Sequence, residues 1–429
     1  MLLSDPIPLR TSESLNAYRV AAALPWWFGD LTHSPQALVQ LSDTEFLAAD
    51  HAMTITAVQI DGQNVQGYAA SFATDSTGAT YTVVTLSAPL PTGAQITACG
   101  TGERSPRTGA LIESPADVLE RIFQRSGYTI TDAIYQGLYQ LRSQCAAEGL
   151  VIAGRVPFAV TLRVKINEIM RSIGGGWCSG NFWLYPTLEA LATVPANAPE
   201  RLPGATVSAC VATADASYDT LNLKFDDQSY VAEHRQAIKL RARPSLGEGR
   251  ATVTLLAPWL RSMRAATLVA QRLLTRASGE AYVLTIDASP VEPAVIIGEV
   301  IALQSPRLPQ AGLWPVTVIT AERINAATKL LAELLIAQPN LVFDLISRTI
   351  AGDITQLPAV EVAFANGIAK FTIVDATGKP LTAARCTLDG VTPLRTDNQG
   401  VVRFPATPGA HVLSVEAAGY QPFSLPFTL

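Results

Sequence analysis

Apolar and polar residues alternate over short runs near the start of the chain, at Ala57–Ile60, Tyr68–Ala73 and Tyr81–Leu86. Turn residues close each run: Asp61-Gly62, then Asp75-Ser76-Thr77-Gly78, then Pro89-Leu90-Pro91-Thr92-Gly93. A period of two with that punctuation predicts antiparallel strands joined by tight turns. The segment from about Leu15 to Cys99 is therefore expected as a small antiparallel β unit. In the stretch Gly100–Gly127 the pattern changes. Ser114 stands where a helix N-cap belongs, Pro115 suits the first helical position, and Asp117 places a carboxylate in the first turn. Val118, Leu119, Ile122 and Phe123 then fall on one side of a helix, with Glu120, Arg121 and Gln124 on the other.

Two further helices are predicted. Thr131–Glu148 carries Ile134, Leu138, Leu141 and Cys145 at helical spacing and stops at Gly149, and Thr161–Ile173 carries Leu162, Ile166, Ile169, Met170 and Ile173. The run Gly174-Gly175-Gly176 ends the second, and Trp177, a turn at Ser179-Gly180-Asn181, and Phe182-Trp183-Leu184-Tyr185-Pro186 read as a hairpin. Pro195–Leu202 turns to Pro, Ala and Asn, as a linker does. Strands follow at Leu221–Phe225 and Ala237–Arg241, then an amphipathic helix over Trp259–Ser278 ending at Gly279. Its apolar stripe is Met263, Ala266, Ala270, Leu273 and Ala277, and Arg261, Arg264, Arg272 and Arg276 cluster opposite. Strands are expected at Ala281–Ile286, Val295–Leu303 and Leu313–Ile319, a helix at Ile324–Leu335, and a helix or extended arm at Pro339–Gly352. From Val360 the period is two again, through Lys370–Val374, Ala384–Leu388, Val401–Phe404 and His411–Glu416. Turns at Thr377-Gly378-Lys379, Asp389-Gly390 and Pro408-Gly409 separate these runs, which predicts a β-sandwich of immunoglobulin-like size.

Composition narrows the class. A chain of 429 residues, 48% hydrophobic and only 16% charged, has apolar material for several cores and is expected to form two to four domains. A net charge of −5 gives no electrostatic reason to propose nucleic acid or an anionic membrane as partner. Cys99, Cys145, Cys178, Cys210 and Cys386 are scattered, with no CxxC pair, so buried reduced thiols are expected in place of a disulfide framework or zinc site. The start, MLLSDPIPLR, lacks the basic and apolar blocks of a signal peptide, and no run of about eighteen apolar residues occurs. Synthesis in a cytoplasm without a membrane span is the expectation.

Candidate chemistry is sparse. The three glycines at Gly174–Gly176 follow a helix, lack GxGxxG order and have no Lys-Ser/Thr after them, which argues against a phosphate cradle. Gly176-Trp177-Cys178-Ser179-Gly180 resembles a nucleophile turn only faintly, because no base accompanies it; His33, His51, His234 and His411 are scattered and outside any metal or catalytic signature. Trp26-Trp27 with Phe28 reads as core or subunit contact, or else as a sugar-stacking or membrane-touching patch. The arginine face of Trp259–Ser278 reads as solvated, or as ion-paired to an acidic neighbour in an assembly. Asp375, Asp389 and Asp397 suggest calcium, although turn formation explains each. No catalytic, cofactor-binding or metal residue is assigned. Trp26, Trp27, Arg261, Arg264, Arg272 and Arg276 are the interface candidates.

The words TGALIESPADVLERIF, in the order β segment, polar connection, capped helix, second helix, resemble the central hub proteins at the tail tip or baseplate of long-tailed bacteriophages. FGDLT, FLAADHAM and the turn at Val58–Gly62 are similar to the strand-rich opening of that family, as are the helix, GGW, turn and W-x-x-P phrase, and GEVIAL followed by GLWPVTVI. This resemblance runs from about Ala17 to Leu335. The phrase IVDATGKPLTAARCTLDG, with RTDNQGVVRFPATPGAHVLSVEAAGY, resembles the prealbumin-like modules called carboxypeptidase regulatory-like or Cna B-type, which are noncatalytic.

What the resemblance implies is an α+β multidomain chain with antiparallel β-barrel-like hub domains, packed helices and a C-terminal all-β immunoglobulin-like sandwich. The implied division is an N-terminal β-rich hub domain at 1–110, a helical and hairpin insertion at 111–200, a second barrel-like hub domain at 201–335, a linker or helical arm at 336–359, and the sandwich at 360–429. A structural, nonenzymatic role in the virion tail is implied, made in the host bacterial cytoplasm and assembled as a homotrimer. The implied partners are the distal tail protein, the tape-measure protein and tail fibre or receptor-binding proteins. The chain is shorter than long tail-tip attachment proteins, so host reading is expected to fall to a partner. The alternatives are a noncatalytic adhesin or carbohydrate-binding surface protein, and an enzyme with an accessory β-sandwich.

Overall fold

A computed structural model of the chain describes residues 25–74, 78–156, 160–178, 181–192, 206–212, 218–228, 233–243, 252–278, 280–288, 300–309, 313–324, 327–336, 341–350, 359–374, 380–381, 383–391, 393–416 and 423–429. The expected linker at Pro195–Leu202, the helix stop at Gly279 and the turn at Thr377-Gly378-Lys379 lie outside them. Strands outweigh helices, and they form several open sheets.

The predicted opening strands are present. One four-stranded sheet has the order Asp30–Ala37, Ile96–Thr101, Thr54–Ile60, Gln63–Asn64, and a second has the order Val39–Gln40, Glu45–Ala49, Thr80–Leu86, Tyr68–Thr74. Asp61 and Gly62 both take positive φ, 49° and 79°, as a two-residue hairpin turn requires. Between the sheets lie Leu31, Phe46, Val58, Val84 and Ile96.

A three-residue strand, Trp26–Phe28, joins this unit to the helices by pairing antiparallel with Gly154–Val156. Successive side chains of a strand point to opposite faces. Trp27 accordingly enters the core of the opening β unit, while Trp26 and Phe28 enter the helical core. All three are essentially without solvent exposure. Gly29 follows at φ +70°, and a Cβ there would stand 2.3 Å from the Ile152 carbonyl oxygen, so the close crossing of the two segments depends on glycine.

Five helices are described: α1 (Pro115–Arg125), α2 (Asp132–Glu148), α3 (Leu162–Ser172), α4 (Leu188–Ala192) and α5 (Met263–Ser278). In α1 the predicted apolar face is buried, but the predicted cap is not made: Ser114 occupies the N-cap position without a side-chain bond. Asp117 and Glu120, expected as first-turn charge and wet face, both pair with Arg142 of α2, at 2.6 and 2.7 Å. Thr131 and Thr161 do cap α2 and α3, and Gly149 ends α2 at φ 62°. Gly175–Cys178 and Asn181–Leu184 form the predicted hairpin. At Gly176 a Cβ would lie 2.7 Å from the Trp183 ring, so the glycine lets that indole cross its partner strand.

Beyond the helices, a five-stranded sheet has the order Thr206–Ala212, Glu280–Ala288, Ala327–Ile336, Leu313–Ile324, Val300–Gln304. Here the expected helix at Ile324–Leu335 is wrong. Ala327–Ile336 is a strand hydrogen-bonded on both sides, to Glu280–Ala288 and Leu313–Ile324. Its residues, including Lys329, Leu330, Leu331, Ala332 and Glu333, favour a helix locally, and two flanking strands override that preference.

A seven-stranded sheet runs Thr252–Ala257, Thr220–Gln228, Glu233–Arg243, Val342–Ile350, Ala359–Ala365, Ile368–Val374, Val401–Pro405. It includes one parallel pair, Thr220–Gln228 with Thr252–Ala257, so the expectation of purely antiparallel pairing fails there. Val342–Ile350, expected within a linker or helical arm, is a paired strand that carries the sheet across to Ala359–Ala365. No sheet among the described residues closes into a barrel.

The last sheet, Leu394–Arg395, Arg385–Leu388, Ala410–Glu416, Phe423–Thr428, packs against the end of the seven-stranded one. Val362, Phe371 and Phe404 meet Cys386, Leu413 and Phe427 in the core between them. Asp389-Gly390 makes the predicted turn with φ of 51° and 73°, and Asn366-Gly367 makes another of the same kind. Asp389 accepts from the Val412 amide at 2.7 Å and pairs with His411 Nδ1 at 2.6 Å, while His411 Nε2 contacts the Thr407 carbonyl at 2.7 Å. Asp397 accepts from the amides of Gln399 and Val401 at 2.8 and 2.9 Å. Both aspartates are therefore turn formers.

The hydrogen bond to Asp389 raises His411 above the ordinary histidine value, and the same bond holds Asp389 below the ordinary carboxylate value. Stability from the depressed Asp389 is lost as pH falls through its folded value, and that from the raised His411 is lost as pH rises through its folded value. Thermal melts of wild type and Asp389→Asn are expected to differ most between about pH 4 and 6.5. The gap narrows on both sides, and it is small because Asp389 is 43% exposed.

Candidate functional site

The end of the opening β unit and α1 meet over a cleft of about 730 Å³, whose lining includes Trp26, Asp50, His51, Glu103, Arg121 and Arg125. Asp50 closes the strand Glu45–Ala49, Glu103 follows the strand Ile96–Thr101, and Arg121 and Arg125 lie one helical turn apart on α1. Glu103 accepts from Arg121 Nε and Nη2 at 2.9 and 2.7 Å and from Arg125 Nη1 at 3.2 Å. Arg125 Nη2 donates to Asp50 Oδ2 at 2.8 Å, and Trp26 Nε1 donates to the same oxygen at 3.0 Å. The Arg125 guanidinium also lies 4.3 Å over the Trp26 ring. Two carboxylates, two guanidiniums and one indole thus form a continuous network.

Burial pushes the Glu103 carboxyl up, but the Arg121 hydrogen bond and the charges of Arg125 and His51 outweigh it and hold the group below the ordinary range. A general acid needs the opposite perturbation. The geometry suits clamping: it ties α1 to the β unit beside the Trp26–Phe28 strand. Sequence reasoning placed Arg121 on a wet face and gave Asp50 and Glu103 no role. The signal lay in two acids and two arginines brought together from segments 75 residues apart at the extreme, Asp50 and Arg125.

Arg264, Arg272 and Arg276 of α5, and Arg261 just before it, are distributed differently from the expected solvated face. Arg272 is 1% exposed; its Nε donates to the Tyr185 carbonyl at 2.8 Å and its Nη2 pairs with Glu148. Arg276 pairs with Glu333 at 2.9 Å and lies 4.7 Å over the Tyr185 ring. Arg261 donates to the Pro258 carbonyl at 2.7 Å with Asp226 at 3.9 Å. These partners belong to the same chain. The apolar stripe is rotated to match, with Val269 and Leu274 buried and Met263 and Leu273 only half-buried. Arg264 is exposed. Of the six interface candidates, Trp26, Trp27 and Arg272 are buried within the chain, and Arg264 is the one fully at the surface.

His33 is exposed and His51 is buried at the cleft, while the His234 side chain and the Cys178 side chain lie outside the described residues. Cys99, Cys145, Cys210 and Cys386 are free thiols, and burial pushes Cys145 and Cys386 up to about 12, far from a reactive thiolate. Among the described residues no group of His, Cys, Asp and Glu is placed to hold a metal ion, and no helix is long and apolar enough to cross a membrane. A scan of protein-family models returns no match, and no curated protein matches the chain.

Removing one partner from a buried charge network strands the others. Glu103→Gln is expected to lower stability by about 3 kcal/mol in urea titration at neutral pH. Glu103→Gln with Arg125→Met should lose less than the sum of the two single changes.

Proposed function

We propose that the chain is a noncatalytic structural component of a bacteriophage tail tip or baseplate, the central hub that closes the tail tube. In this reading the chain assembles as a homotrimer in the virion tail. The two β-rich regions and the helical insertion are the hub proper, of α+β type, and the sheets around Phe371 and Phe427 are a prealbumin-like sandwich appended to it. The distal tail protein, the tape-measure protein and tail fibre or receptor-binding proteins are the partners.

The observation that supports a scaffold role best is the state of the sheet edges. An edge strand presents unpaired amides and carbonyls, and monomeric proteins usually blunt it with charge or proline. Tyr68–Thr74, Thr206–Ala212 and Thr252–Ala257 each lie at an edge, and none contains a charged residue or a proline. Each also exposes a large apolar side chain: Phe72 at 63%, Val211 at 62% and Leu256 at 50%. The edges of the last sheets contrast with this, since Val401–Pro405 carries Arg403 and Pro405, and Phe423–Thr428 carries Pro426. The hub-like part has one blunted edge, Asp30–Ala37 with Asp30 and Pro35, beside these three unblunted ones, and the three fit a chain that adds strands to neighbouring copies through them.

Light scattering on the purified chain is expected to give a closed oligomer. Phe72→Lys with Leu256→Lys should shift it to monomer, with the melting temperature of the fold unchanged, and should abolish co-purification with distal-tail and tape-measure proteins. A wild-type monomer at high concentration that binds neither tail component contradicts the proposal.

A further inference from the structure

A second cavity, of about 830 Å³, lies between α5, the seven-stranded sheet and the chain segment around Phe427. Leu240, Met263, Phe343, Leu345 and Phe427 give it apolar walls, and Arg348 is set among them. Arg348 sits on Val342–Ile350 with Ile238 and Val362 as its cross-strand neighbours, both apolar and fully buried. Those two neighbours belong to different cores, so the guanidinium stands where the cores meet.

Arg348 is only 7% exposed, and its Nε is buried with no hydrogen-bond partner. Among the described residues no carboxylate pairs with it. The other charged groups at the cavity are Glu148, already paired with Arg272, the α-carboxylate of Leu429, which makes no ion pair with Arg348, and Arg264, exposed on α5 and likewise without an ion pair among the described residues. Burial pulls Arg348 below its ordinary range with no acid to offset it. A guanidinium remains charged in a protein, and an unpaired buried charge is strongly unfavourable. Among the described residues the other buried lysine and arginine side chains each have an anionic partner: Arg272 has Glu148, and Lys165, on α3, has Glu168 at 2.8 Å. Arg348 is the departure from that rule, and it lines a cavity with room for a ligand.

We propose that this cavity is a binding site for a monocarboxylate with an apolar body, its two oxygens held by the Arg348 fork and its chain lying against Phe343, Leu345 and Phe427. The planar fork of arginine matches a carboxylate in a bidentate arrangement. A doubly charged phosphate would need further buried donors, whereas the remaining wall is largely apolar. A neutral apolar molecule would leave the guanidinium unpaired. Arg264, at the surface, adds attraction for an anion on approach.

Isothermal titration of the full chain with sodium octanoate, and in parallel with 1-octanol, tests this. Octanoate is expected to bind saturably and at least about tenfold more tightly than octanol. Arg348→Leu should remove that advantage and, by deleting an unpaired buried charge, leave the ligand-free melting temperature unchanged or higher. No saturable octanoate binding, equal binding of octanoate and octanol, or full octanoate affinity in Arg348→Leu would overturn the proposal. Should Arg348→Leu fold poorly, Phe343→Trp reads the same site by filling it: loss of octanoate binding is expected, and unaltered binding overturns the assignment.

Discussion

The three-residue strand Trp26–Phe28 is the constraint on which the rest of the structure depends. Its alternation sends Trp27 into one core and Trp26 and Phe28 into another, so neither core is complete without it. Burial of a large apolar side chain is worth roughly 2–3 kcal/mol, which makes three adjacent aromatics a substantial hold for so short a strand. Backbone pairing with Gly154–Val156 fixes the strand, and the Asp50, Glu103, Arg121 and Arg125 network locks α1 beside it through the Trp26 indole. The glycine at position 29 permits the close crossing that brings Ile152 alongside. The stretch Gly100–Gly127 matters for the same reason: its first residues finish a sheet, and its helix supplies both guanidiniums of the lock.

Much of this was legible as local pattern. Asp61-Gly62 turns the strand Thr54–Ile60 back onto Gln63–Asn64, and Asp389-Gly390 opens the connection from Arg385–Leu388 to its partner Leu394–Arg395, because those residue pairs adopt positive φ at little strain. Thr131 and Gly149 marked both ends of α2. Where pattern failed, a long-range contact decided the outcome. Ala327–Ile336 has the composition of a helix, and only the strands on either side make it extended. The arginines of α5 look like a wet face until Glu148 and Glu333 are brought to them, and Glu333 lies on that same misassigned strand. Ser114 was a sound N-cap residue by type, yet its hydroxyl makes no cap bond.

The candidate sites were less legible than the fold for a related reason. A network of paired charges uses common residues drawn from distant segments, so no spacing announces it. Arg348 lies on a strand that sequence pattern left open between helix and arm, and its isolation from carboxylates is a property of three dimensions. The exposed edges, in contrast, can be read from sequence once the strands are known: TVTLLA and YAASFAT carry no charge, and VVRFP does.

Assembly of the chain through its unblunted sheet edges would show in the amide hydrogen exchange of Tyr68–Thr74 and Thr252–Ala257. Edge amides facing solvent exchange freely in a monomer and become protected when a neighbouring strand adds to them. Protection in these two strands is expected to rise with protein concentration, while protection in the central strand Ala327–Ile336 stays constant. Fast exchange at both edges over the whole concentration range would contradict it.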